Sequence, residues 1–224
     1  MGGDFVTHNV IDVSKWFIQN NTDACKPSFN GHIKLQKLLY YSQALSLAVN
    51  DSVLFDNQIQ AWENGPVVSE VFREYRHNDL VENTFEKTEF DYAGIFDDKT
   101  HKILEIVNYI YGFQTGDQLI ELTHSEEPWK ELEAEAKARR NPEIKVQKMK
   151  DYYSTSLKEV FELYEDYDLS SDTREEFNGN VFVYNSTETT LTDEDVRALW
   201  EIGENVQGEK YFVYMDEDNE MVVF

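Results

Sequence analysis

The chain has 224 residues, of which 41% are hydrophobic and 14% aromatic, and its 44 acids against 20 bases give a net charge of −24. That much apolar material excludes a chain disordered throughout, and the acid excess excludes double-stranded nucleic acid as a ligand, because phosphate binding draws on clustered Lys and Arg. A single cysteine, Cys25, excludes an internal disulfide framework and any paired-cysteine metal site, which suits a reducing cytoplasm.

Val6, Val10, Val13, Trp16 and Phe17 recur at three- and four-residue steps, so the first predicted element is an amphipathic helix from Val6 to Ile18. Residues 19–31, QNNTDACKPSFNG, are rich in turn formers and read as a loop. A second helix is predicted from near His32. Leu35, Leu38, Leu39, Ser42, Leu45 and Val49 line one of its sides, while Lys34, Lys37 and Tyr41 fall elsewhere and give it a chemically distinct second side.

Phe55, Ile59 and Ala61 alternate with polar residues over too short a span to separate strand from loop. Asn64-Gly65-Pro66 breaks the chain, and Pro66 suits the first turn of a helix carrying Val67, Val68, Val71, Phe72 and Tyr75, where a missing N–H costs no hydrogen bond. Residues 77–98 read as an irregular acidic excursion pinned by Phe85, Phe90, Tyr92 and Phe96. Helix resumes over 99–112. Thr115 and Gln118 have the spacing of a capping box for the next helix, another helix follows Pro128, and a further one spans 146–164.

The period then changes. NVFVYNST (180–187) alternates as a strand, Thr192 and Asp195 have capping spacing before a helix, and residues 210–224 read as two strands around an acidic turn. The expected architecture is mainly α: a compact helical domain over 1–166 with a small, acidic α+β extension over 167–224. That extension is a β-α-β-β unit whose linker is 167–179. Acidity concentrates toward this end, residues 151–224 holding 20 acids and 4 bases. No stretch reaches the ~20 apolar residues that a membrane-spanning helix needs, so a soluble cytoplasmic protein is expected.

Catalytic patterns are sparse. His8, His32, His77, His101 and His124 lie far apart with no metal-binding spacing, and no nucleophile elbow, phosphate loop or dinucleotide fingerprint is present. The expectation is a protein that is not an enzyme and has no cofactor or metal. His124 admits two readings: with Thr123 it closes the break between two helices while Pro128 and Trp129 open the next, or it stands on a partner surface. Trp62 and Asn64-Gly65-Pro66 admit the same pair, a packed tight turn or a contact surface. The lysines beside Tyr41 read either as a binding face or as solvated cations next to a buried ring.

Three ordered segments resemble the Panacea domain family, which includes the SocA antitoxin and GepA-like phage-associated proteins: KLQKLLYYSQA (34–44), FDNQIQAWENGPVVSEVF (55–72) and LIELTHSEEPW (119–129). The resemblance covers roughly residues 6–165. It implies a mostly helical domain acting as the antitoxin half of a toxin-antitoxin pair, neutralising a co-encoded toxin by direct binding, with a host protease as a further partner in the SocA-like case; the net charge of −24 makes a basic toxin the expected partner. The matching positions are Lys34, Leu35, Gln36, Lys37, Tyr40, Tyr41, Gln43, Trp62, Gly65, Pro66, Val67, Thr123, His124, Pro128 and Trp129. From these, Lys34, Lys37, Tyr41, Trp62, Asn64, His124 and Trp129 are the candidates for partner binding, and Leu35, Leu38, Gly65, Pro66 and Pro128 the candidates for structure. The long acidic insertion and the tail lie outside the shared motifs and are expected to choose the partner. The competing reading is a phage-encoded inhibitor whose acidic tail imitates DNA and blocks a host nucleic-acid-binding protein.

Overall fold

The computed structural model describes residues 7–86, 94–204, 210–216 and 220–224. The chain divides into two units, residues 1–165 and 166–224. The fold is mainly α, with strands gathered in a short hairpin and in the C-terminal α+β unit.

In the first unit, Asn9 caps α1 (Val10–Asn20) by accepting from the Ile11 N–H, and the helix buries Val10, Val13, Trp16 and Phe17. Val6 lies outside the described residues. Ser28 then caps α2 (Phe29–Asn50), so helix begins inside the stretch that reads as loop, and Asp51 closes it in the left-handed region at φ 59°. Every residue of α2 from Gly31 to Leu47 is buried. A helix so enclosed is ordinarily apolar all round, yet this one carries Lys34, Gln36, Lys37 and Gln43 into the interior. The two-sided helix expected from its sequence is therefore corrected: α2 is the axis of the unit, and neither lysine is solvated.

After α2 the chain forms a hairpin of β1 (Ile59–Trp62) and β2 (Gly65–Val68), with Trp62 opposite Gly65 and Ala61 opposite Pro66. Pro66 is thus a strand residue, and α3 (Ser69–His77) starts three positions later than expected. A proline is tolerated in a strand whose N–H at that position has no ladder partner. The outer side of β1 is covered by the chain near Glu143, where the Ala61 N–H donates to the Pro142 carbonyl and the Ile144 N–H to the Ile59 carbonyl. Asp79, at φ 52°, turns the chain into α4 (Leu80–Glu86). Part of the expected irregular excursion is therefore helical. Phe96 is buried against the His8 ring, whereas Phe85 is 56% exposed and pins nothing; Phe90 and Tyr92 lie outside the described residues.

Asp97 caps α5 (Asp98–Tyr111), and the expected Thr115/Gln118 capping box opens α6 (Gly116–Ser125). Two short helices follow, α7 (Glu127–Lys130), which has Pro128 in its first turn, and α8 (Glu133–Lys137). The single helix expected over 146–164 is two, α9 (Val146–Tyr153) and α10 (Ser156–Tyr164), interrupted at Ser154 and Thr155. Hydroxyl side chains compete with the backbone ladder, which makes this pair a natural place for the break.

The second unit has a four-stranded sheet in the order β3-β4-β5-β6. β3 (Asp172–Phe177) and β4 (Asn180–Asn185) are antiparallel, joined through Asn178 at φ 52° and Gly179 at φ 78°. Two central residues with positive φ make the turn whose twist matches a hairpin, and Asn-Gly is its preferred sequence. Residues 172–177 are consequently a strand and not a linker, and the tail is β-β-α-β-β. Thr192 and Asp195 form a capping box at α11 (Asp193–Gly203), which carries the chain to β5 (Lys210–Met215), parallel to β4, and then to antiparallel β6 (Met221–Val223). Phe182, Leu199 and Val213 form this unit's own core.

Candidate partner-binding site

The polar side chains of α2 answer one question: which groups satisfy the backbone of the segments packed around an enclosed helix? A buried peptide group without a partner is costly, on the order of 1–3 kcal/mol, and each of these side chains meets such a group. Gln43 takes the Leu54 and Phe55 N–H groups on Oε1, at 2.8 and 3.2 Å, and donates from Nε2 to the Phe55 carbonyl at 3.1 Å. Gln36 accepts from the Val68 N–H at 2.7 Å, donates to the Val68 carbonyl at 3.4 Å and sits 3.2 Å from the His32 Nε2. The two glutamines, seven residues and about two turns apart, therefore clamp the extended segments before and after the hairpin.

The lysines do the same with charge. Lys34 Nζ donates to the Gly112 carbonyl at 2.8 Å, where α5 ends, and lies 3.3 Å from Asp23. Lys37 is fully buried and donates to the carbonyls of Asn64, at 2.7 Å, and Pro66, at 3.2 Å. Burial pulls its pKa down to about 7, while the two carbonyl dipoles favour the ammonium. Gly65 is bound into the same arrangement. It has φ 98°, and a Cβ there would stand 2.6 Å from Lys37 Nζ and 2.9 Å from Thr123 Oγ1.

Around this turn the other signature residues assemble. Trp129 is fully buried and donates from Nε1 to the Trp62 carbonyl at 2.9 Å. His124 stacks on it with ring centroids 3.6 Å apart and planes 12° apart. Burial lowers the His124 pKa, with the Lys37 charge adding to the effect. Its Nε2 is buried with no hydrogen-bond partner among the described residues. Trp62 also packs on Phe72 at 4.9 Å.

Tyr41 belongs to a different group. It stacks face to face on Tyr111 at 3.9 Å and donates to Glu126 Oε2 at 2.9 Å, and Tyr153 donates to the same oxygen at 2.6 Å while contacting the Tyr40 hydroxyl at 3.1 Å. Desolvation raises the Glu126 pKa to about 7, against the lowering effect of the two hydroxyls. Burial drives the Tyr41 and Tyr153 hydroxyls above their ordinary range, so both remain donors. Glu126, Tyr111 and Tyr153 were outside the expected site. In a chain with 44 acids one glutamate carries no mark of burial, and the only sequence signal is its place in SEEPW beside Pro128 and Trp129.

The structure thus separates the seven partner-binding candidates. Lys34, Lys37, Tyr41 and Trp129 are interior, at 0–1% exposure, and their polar groups are engaged by the fold, so the expectation that they face a partner is corrected. Trp62 and His124 are half-buried and Asn64 is exposed, and these three surround the hairpin turn together with Glu63, which pairs with Arg139 at 3.2 Å. The structural candidates Leu35, Leu38, Gly65, Pro66 and Pro128 are all buried. Among the described residues no cluster of three or more His, Cys, Asp or Glu could hold a metal ion, and no helix is long and apolar enough to cross a membrane.

Residues 35–130 match the family described as Antitoxin SocA-like, Panacea domain. No curated protein and no solved structure matches the chain. The matched segment runs from within α2 to the end of α7 and takes in the Gln36, Lys37 and Gln43 clamps, the hairpin and the His124–Trp129 stack. The part of the helical unit from Leu35 to Lys130 is accordingly similar to the Panacea domain of SocA-like antitoxins.

Proposed function

We propose that the protein is an antitoxin that neutralises a co-encoded protein toxin by direct binding. The observation that carries this reading is the family match over residues 35–130, which coincides with the hydrogen-bonded frame built around α2. Because the frame engages most of the polar signature internally, recognition falls to what the frame displays. On the matched segment that is the hairpin rim of Trp62, Asn64 and His124. Half-buried aromatic groups beside an exposed polar turn suit a binding rim, since aromatics supply contact area at low conformational cost.

Charge supports a basic partner. A net charge of −24 accelerates encounter with a cationic protein and disfavours acidic ones. Neutralisation by contact then needs no bond to be made or broken by this chain. The test is co-expression with the neighbouring reading frame. Growth inhibition by that product alone, relieved by this chain and accompanied by a purified complex, is the expected result. A toxic neighbour left unrelieved, with no complex on mixing the two proteins, overturns the proposal. An Asn64→Arg variant should keep the fold, since Asn64 is exposed, and should weaken the complex by about tenfold if the hairpin rim meets a basic surface.

A further inference from the structure

A cavity of about 300 Å³ opens in the helical unit between the start of α2 and the α3–α4 corner, lined by Pro27, Ser28, Phe29, His32, Tyr75, Arg76, Asp79, Val81 and Glu82. This volume is at the small end of ligand pockets, of the size that takes one long side chain and not a cofactor. Its floor is aromatic and apolar. Tyr75 and His32 have ring centroids 5.2 Å apart, Val81 is buried, and Phe29 stands 60% exposed at the rim.

The polar groups of the floor are already engaged. The Tyr75 hydroxyl donates to the Lys26 carbonyl, and His32 Nε2 is paired with Gln36. Burial, with the Lys37 and Arg76 charges, holds the His32 pKa at about 4, so the ring is neutral at physiological pH. What the cavity still offers is ring faces, together with the exposed carboxylates of Asp79 and Glu82. Neither carboxylate has an ion-pair partner within 4 Å among the described residues. Arg76, the one permanent cation in the lining, is drawn over Phe72 at 5.9 Å from its centroid, so this wall already holds one guanidinium against an aromatic ring.

We propose that this cavity is an anchor pocket for an arginine side chain presented by a basic protein partner, the guanidinium stacking on Phe29 and Tyr75 and pairing with Glu82 and Asp79. Arginine fits better than lysine because its planar, weakly hydrated head stacks on rings and bonds carboxylates through two N–H groups at once. The pocket is connected to the hairpin rim by ring contacts, Trp62 to Phe72 at 4.9 Å and Phe72 to His32 at 5.0 Å. The identity of the partner rests on the antitoxin reading above, whereas the chemistry of the pocket does not.

Two measurements on the full chain test this. In the first, acetyl-arginine methylamide and its uncharged isostere acetyl-citrulline methylamide are titrated into labelled protein and followed by amide NMR shifts. Saturable shifts confined to residues 27–32 and 75–82, weaker by about tenfold or more for citrulline, are expected. No shift there, or equal shifts for both compounds, overturns the pocket. In the second, Glu82→Gln combined with Asp79→Asn, and separately Phe29→Ala, are each expected to weaken binding to the co-encoded protein by about tenfold. Asn is tolerated at the left-handed φ of residue 79, and Phe29 is exposed, so both variants fold. Unchanged affinity in both variants overturns the anchor role. A wild-type chain that ignores the co-encoded protein defeats the antitoxin reading and leaves the arginine titration to decide the pocket.

Discussion

Replacing Gln43 by leucine isolates the role assigned to the polar face of α2. Leucine nearly conserves volume but removes an amide that closes three hydrogen bonds, to the Leu54 N–H, the Phe55 N–H and the Phe55 carbonyl. Each orphaned group costs on the order of 1–3 kcal/mol, for a gross loss of roughly 3–9 kcal/mol. Leucine recovers on the order of 1.5–3 kcal/mol by burial. The net expectation is a loss of about 4 kcal/mol, a large share of the ~5–15 kcal/mol that holds an ordinary domain together. Urea unfolding reads it directly, because a slope near ~2 kcal/mol per molar turns that loss into a midpoint lower by about 2 M. Trp16, Trp62 and Trp129 lie in the helical unit and Trp200 in the tail, so intrinsic fluorescence reports mainly on the unit concerned. A midpoint lowered by less than about 0.5 M would show that water or neighbouring groups satisfy these backbone atoms, and the account of the α2 clamps would fail with it.

Gly65→Ala combines a left-handed backbone with a Cβ 2.6 Å from Lys37 Nζ, so a loss of about 3 kcal/mol and a Tm lower by about 10 °C are expected by calorimetry; an unchanged Tm contradicts the packing described. For Glu126 the folded pKa of about 7 exceeds the ordinary 4.5, so the folded state holds its proton more tightly. Its contribution is complete below 4.5 and is lost as pH rises through 7, a difference of about 3 kcal/mol. Glu126→Gln keeps an acceptor for Tyr41 and Tyr153, and its stability relative to wild type should therefore rise between pH 4.5 and 8. A constant difference across that range refutes the raised pKa. In the tail, Gly179→Val forces a branched residue to φ 78° and should cost the second unit about 1–2 kcal/mol, seen in Trp200 emission, with the unfolding of the helical unit unmoved. Equal losses in both units would mean that the two unfold together.

Helix periodicity, capping spacing and the alternation of 180–187 were legible because each rests on neighbours in sequence. The two capping boxes, at Thr115 and Thr192, stand where their spacing puts them. Pro66 misled because a proline suits either a helix start or an unpaired strand position, and only the covering of β1 and the Lys37 bonds decide for the strand. The Asn178-Gly179 turn is a strong local hairpin signal, but the strand before it, DTREEF, is charged enough to read as linker. The candidate site was half legible. Its residues were singled out, but their direction was not, since a buried lysine is exceptional and the carbonyls that hold Lys34 and Lys37 belong to segments 78 and 27–29 residues away. Nothing local in Lys37 announces that Asn64 will end above it.

The span of those ties has a consequence for synthesis. Lys34 waits for Gly112, and Tyr40 for Tyr153, 113 residues later. At ~5–20 residues per second of translation, α2 leaves the ribosome roughly 6–20 seconds before its last tyrosine contact exists. Lys37 meets its carbonyls after 27–29 residues and Lys34 after 78, so the interior of α2 is satisfied in stages, with the tyrosine pair last. The polar contacts of α2 are complete only when α9 has emerged.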